Sequence, residues 1–124
     1  MENANKSFDK LEIPVALKLV CRYESARKVV SSFPKHERYA LGERIENSIL
    51  EATELVIIAN NSSKYEKERI LIKANAKAEI LKILYRLAFV CGFIDQRKYL
   101  DEEKSLQEIG KMLQGWIKFV RYQP

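Results

Sequence analysis

Residues 69–92 read RILIKANAKAEILKILYRLAFVCG, a helical stretch with apolar side chains on two sides. On a helical wheel, Ile70, Ala74, Leu81, Leu84, Ala88 and Cys91 share one face. Ile72, Ala76, Ile80, Ile83, Leu87, Val90 and Ile94 share another, rotated from the first by well over a quarter turn. A helix in a lone four-helix bundle hides a single stripe, so two stripes require burial on two sides. A central, well-covered helix within one chain would satisfy that, but a small bundle has little with which to cover a second face. The expectation is therefore self-association through the second stripe, closed by point symmetry.

The surrounding sequence makes this the third of four helices. Upstream, ANNSSKYEKE is a turn, and Ser63 followed by Glu66 reads as a capping box that opens the helix. Downstream, Gly92 is a stop and the helix is expected to run to about Phe93, after which Asp95 caps a fourth helix. The inner face of that helix would be Leu106, Ile109, Leu113, Trp116 and Val120. The first helix opens at Pro14, where a missing N–H costs nothing, and Val15, Leu19, Tyr23, Ala26 and Val30 line one side. Pro34 ends it and starts the second, whose stripe is Leu41, Ile45, Ala52, Leu55, Val56 and Ala59. No strand-like alternation and no internal repeat occurs. The expected fold is all-α, one domain over residues 1–124, an antiparallel up-down-up-down four-helix bundle with residues 1–12 as a flexible N-terminus.

Composition agrees with that architecture. Of 124 residues, 47% are apolar and 31% charged, with four glycines and three prolines, which favours a few long helices in a globular chain. Lys and Arg number 22 against 17 acids, a net charge of +5 that leans toward a polyanionic partner without requiring one. Cys21 and Cys91 are far apart among apolar neighbours and are expected to be free, buried thiols. The N-terminus has no apolar signal region and no run is long enough to cross a bilayer, so a cytoplasmic protein without membrane attachment is expected.

Catalytic chemistry is hard to place. His36 is the only histidine, and no Glu-x-x-His pair or glycine-rich phosphate loop is present, so no metal, cofactor or enzymatic activity is expected. A pocket with converging, buried Glu and Arg would be the sign of an all-helical enzyme. FPKHERYALGERI, residues 33–45, reads first as a helix start, with Pro34 setting the backbone and Glu37 favouring the N-terminal dipole. Arg38 and Arg44 there are left for structural ion pairs or for phosphates. Lys77 falls in the first stripe of the third helix, where its ammonium either snorkels past Ala74 and Ala78 or faces a water-filled channel. With Arg69 and Lys73 it forms a basic ridge. Gly110 lies within a helix, and EIGKMLQGW reads as a seam where small residues admit the Trp116 ring.

Two stretches carry a family resemblance. FPKHERYALGERI supplies Pro34, Lys35, Arg38, Tyr39, Leu41, Gly42 and Arg44, and EIGKMLQGWIKF supplies Glu108, Ile109, Gly110, Met112, Leu113, Gly115 and Trp116. Together they resemble the accessory variability determinant proteins of diversity-generating retroelements over nearly the whole chain from Val15. Lys111 stands where that family has arginine, and Gln114 where it has the first glycine of a pair. Four-helix proteins encoded in ribosomal-RNA intervening sequences share the Leu-Gly helix start; such a protein would be a structural interaction module without a polymerase partner.

The resemblance implies a barrel-shaped homopentamer of four-helix bundles with a basic surface. It also implies binding to the retroelement's reverse transcriptase and to RNA or DNA, in support of mutagenic retrohoming. From charge and placement, the expected nucleic-acid or partner contacts are Lys35, Arg38, Arg44, Arg69, Lys73, Lys77, Arg86, Lys111, Lys118 and Arg121. The expected oligomer interface is Ile72, Ala76, Ile80, Ile83, Leu87, Val90 and Ile94.

Overall fold

The computed structural model describes residues 13–123, so the expectation for residues 1–12 lies outside the described residues. It has four helical rods and, among the described residues, no strand. Helix α1 spans Pro14–Ser31. Rod α2 is continuous but mixed, with one α-turn at Lys35–Glu37, a π-helical turn at Arg38–Gly42 and an α-helix at Glu43–Asn60. Helices α3 and α4 span Lys64–Val90 and Gln96–Arg121.

The breaks fall where local chemistry requires them. Pro14 occupies the first turn of α1, and the Ile13 carbonyl accepts from the amides of Ala16 and Leu17. Pro34 is extended, with ψ 144°, and its carbonyl accepts from Glu37 and Arg38 to restart the helix. Ser63 Oγ accepts from the Glu66 amide at 3.4 Å, whereas the Glu66 carboxylate takes Arg69 at 2.9 Å, so only one half of the expected capping box forms. Asp95 Oδ1 accepts from the Lys98 amide at 2.8 Å and opens α4.

The end of α3 differs from expectation by one turn. Gly92 sits at φ 79°, and its amide bonds the Phe89 carbonyl while the Phe93 amide bonds that of Ala88. These two bonds close the helix at Val90 and turn the chain back. Phe93 then lies 5.5 Å from the ring of Phe33, and Ile94 enters the core. Ile94 is thus corrected from a self-association residue to a buried residue of its own subunit, because it is no longer on α3. The thiols are free as expected, yet both are exposed. Cys91 caps the last turn of α3, and Cys21 lies opposite Leu19 and Ala26 on α1.

α3 packs most extensively against α2 and α4, and α1 closes the other side against α2 with a lighter contact to α4. Leu19, Ile45, Ile49, Leu71, Leu81, Tyr85, Leu106, Ile109 and Leu113 fill the space between them. The sequence places the tight helix approach at Gly110, but the structure places it elsewhere. A Cβ on Gly110 would meet only Lys82 Nζ at 4.0 Å, and one on Gly115 would meet nothing. On Gly42 it would lie 2.5 Å from Val30 Cγ1 and 3.2 Å from the Glu37 carbonyl oxygen. Gly42 is therefore the residue that lets the π-turn of α2 rest on α1.

That contact yields a prediction. Gly42→Ala is expected to lose about 1–3 kcal/mol to overpacking, offset by up to ~1 kcal/mol of helix propensity. Val30 is β-branched and has little rotamer freedom with which to retreat. Urea unfolding of Gly42→Ala, Val30→Ala and the double variant should show strong coupling, with the double variant more stable than the sum of the singles. Additive losses would mean that the two helices do not meet there.

Candidate binding surfaces

The second apolar stripe of α3 is uncovered on this chain. Ile72, Ala76, Ile80, Ile83, Leu87 and Val90 are all exposed, with Ile83 at 58% and Val90 at 71%. They lie opposite the inner face formed by Leu71, Ala74, Ala78, Leu81, Tyr85 and Ala88. The apolar surface continues toward α2 through a groove of about 450 Å³, where Leu55, Ile58, Ala76 and Ile80 make the floor and Glu51, Glu54, Lys73 and Lys77 the rim.

The basic candidates divide by what they touch. Lys77 is neither snorkelling alone nor unpaired, because its ammonium donates to Glu51 Oε2. That hydrogen bond, then the Lys77 charge and more weakly that of Arg44, holds the Glu51 carboxyl below its ordinary value. Arg69 is paired with Glu66 at 2.9 Å and Arg121 with Glu68 at 3.4 Å. Arg38 Nε donates to the Phe33 carbonyl at 3.0 Å, tying the π-turn to the preceding loop. Lys35, Arg44, Lys73, Arg86, Lys111 and Lys118 are exposed or partly so and make no ion pair among the described residues. The Arg69–Lys73–Lys77 ridge is therefore largely neutralised at two of its three members.

One cluster escaped the sequence reading. Glu102 is only 3% exposed, and its two oxygens accept from Arg22 Nη1 at 3.3 Å and from the Ser25 hydroxyl. The hydroxyl of Tyr85 is buried without a hydrogen-bond partner. Burial first, and then the charge of Glu102, pushes the Tyr85 phenol well above its ordinary value. A signal was present, since Glu102 stands four residues before Leu106 on the inner stripe of α4. Arg22, Ser25 and Glu102 line a cleft of about 450 Å³ together with Lys98, Asp101 and Glu108. This is the convergence of buried Glu and Arg named above as the sign of an enzyme. Here both carboxylate oxygens are engaged by α1 donors, an arrangement that fastens α1 to α4.

Among the described residues, no three His, Cys, Asp or Glu side chains are grouped to hold a metal ion. No described helix is long and apolar enough to cross a membrane. No curated protein and no solved structure matches the chain. A family model does: that of the family described as bAvd-like matches residues 17–120, more than four-fifths of the chain, and bears out the resemblance carried by the two motifs.

Proposed function

The chain belongs to the bAvd-like family, and from that membership we propose that it serves a diversity-generating retroelement as a non-enzymatic accessory protein. In this reading it binds the element's reverse transcriptase and its template RNA or cDNA through a basic surface, in the cytoplasm, and so supports mutagenic retrohoming. The observation that carries the reading is the family match across residues 17–120. The net charge of +5 supports a polyanionic partner.

The assembly belongs to the same proposal. Each chain is an up-down-up-down bundle, a course supported by the pairing of Lys18 with Glu108 and of Arg22 with Glu102, in which residues later in α1 meet residues earlier in α4. Six uncovered α3 side chains support a closed homo-oligomer, and the resemblance to the accessory variability determinant proteins supports reading it as a homopentamer. The test is co-expression with the reverse transcriptase of the element and its template RNA. Both are expected to co-purify with the chain, and RNA retention should fall steeply with salt, by a slope of roughly −0.7 per phosphate neutralised on a single strand. An assembly that forms normally yet retains neither polymerase nor RNA at low salt would reject the reading, and would favour a structural module of the ribosomal intervening-sequence kind.

A further inference from the structure

The outer face of α4 repeats one pattern along its length. Arg97, Lys104, Lys111 and Lys118 follow at seven-residue steps, with the neutral amides Gln107 and Gln114 between them. All six are exposed. Seven residues fall just short of two helical turns, so the four cations stand almost in line, about 10 Å apart. That spacing is close to the Debye length of roughly 8 Å at physiological salt, so their potentials overlap. None of the four makes an ion pair among the described residues. Asp101 and Glu108 stand within one turn of Arg97, Lys104 and Lys111 and line the cleft toward α1 together with Lys104, and Lys18 takes Glu108 at 3.4 Å.

The C-terminal end of this stripe adds a second kind of group. Phe119 is 64% exposed and Tyr122 is 74% exposed, beside Lys118 and Arg121. Neither ring stacks on another aromatic side chain; the only aromatic pairs among the described residues are Phe33 with Phe93 and Phe89 with Tyr99. Open rings next to a line of cations are the two components by which proteins hold unpaired strands, cations on phosphates and rings on base faces. A duplex offers only the first contact, because its bases are already stacked.

We propose that the outer face of α4 is the track for a single-stranded polynucleotide, with Arg97, Lys104, Lys111 and Lys118 along the phosphates and Phe119 and Tyr122 stacking on bases. The proposal rests on the reading that the chain handles RNA or cDNA. It assigns the contact to α4 rather than to the α3 ridge, where Glu66 and Glu51 already occupy Arg69 and Lys77.

The test is fluorescence anisotropy of the full chain with a labelled single-stranded RNA, the single-stranded DNA of the same sequence and the corresponding duplex DNA. Lys104→Gln, Lys111→Gln and Lys118→Gln combined should keep the helical circular dichroism and shrink the salt slope by about 2, the value for three lost phosphate contacts. Phe119→Ala with Tyr122→Ala should weaken single strands by roughly tenfold to a hundredfold and leave the duplex little changed. Arg69→Gln and Lys77→Gln combined should leave every affinity within about threefold, as expected for charges already paired at the surface. If the wild-type chain binds and the α4 variants bind equally well, the α4 track is wrong and the accessory reading stands. Tighter binding of duplex than of either single strand would overturn the single-strand assignment. A wild-type chain that binds none of the three would bring down the accessory reading together with this one.

Discussion

Aspartate at both Ile83 and Val90 is expected to leave the helical bundle folded and to reduce the proposed assembly to single chains. Both side chains lie on the uncovered face of α3, among the most exposed of its aliphatic residues. Burying an aliphatic side chain of this size against a neighbour contributes roughly 1.5–3 kcal/mol, and a carboxylate forced into the same contact adds a desolvation cost of several kcal/mol more. In a closed ring the substitution recurs at every interface, so the penalties repeat around the assembly. Within one chain the two positions face solvent, and surface substitutions of this kind shift stability by about 0.5 kcal/mol or less. Light scattering with circular dichroism separates the two effects. A wild-type chain that scatters as a monomer at micromolar concentration would remove the reason for the apolar face, and the proposed pentamer with it.

The parts of this fold that could be read in the sequence are those set within a turn or two of chain. Pro14, Ser63, Gly92 and Asp95 act through their own backbone or through an amide three residues away; Pro14, Ser63 and Asp95 open helices where expected, and Gly92 is the stop, although the helix closes one turn early at Val90. The doubled stripe of α3 is likewise a property of one helix. What could not be read depends on residues far apart in the chain. Gly42 matters because Val30 stands across from it, and nothing local distinguishes it from Gly110, which is buried beside a flexible lysine. Ile94 matched the periodicity of α3 but left it when Gly92 turned the chain. Lys77 looked unpaired because its acid, Glu51, is on another helix.

Charge follows the same division. A sequence counts cations, and +5 is a real excess, but only packing decides which of them remain free for a partner. The ridge on α3 is the more conspicuous in sequence, three basic residues at four-residue steps, yet acids on α2 and α3 neutralise two of them. The stripe on α4 is more widely spaced and less conspicuous, and its four cations make no ion pair among the described residues, although Lys104 also lines the cleft toward α1. Two acids of α4 are drawn off by α1, Glu108 by Lys18 and Glu102 by Arg22 and Ser25. Of these two contacts, the one between Lys18 and Glu108 offsets a carboxylate that stands within one turn of Lys104 and Lys111, whereas Glu102 lies on the inner face away from the stripe.

Glu102→Ala is expected to be the most damaging of the polar substitutions, with a loss of about 2–4 kcal/mol in urea unfolding. Removing one partner of a buried charged pair strands the other, which costs about 3–5 kcal/mol when both are fully buried. Arg22 keeps 23% of its side chain exposed and recovers part of that from water. Ser25 also loses its acceptor, a smaller term of about 1 kcal/mol. Removing both charges with Arg22→Met and Glu102→Leu should restore much of the loss, since a well-packed apolar pair replaces a buried ion pair at little net cost. A loss below about 0.5 kcal/mol for Glu102→Ala would mean that the cluster does not hold α1 to α4. Tyr85 gives an independent readout. Its phenol is kept neutral in the fold by burial and by Glu102, so the unfolded chain gives up that proton first, near pH 10.0. The stability tied to that proton is complete below this value and is lost as pH rises toward the raised folded pKa. Tyr85→Phe removes the titrating group and should flatten the alkaline limb of the stability curve; an unchanged alkaline slope would place the phenol in contact with water.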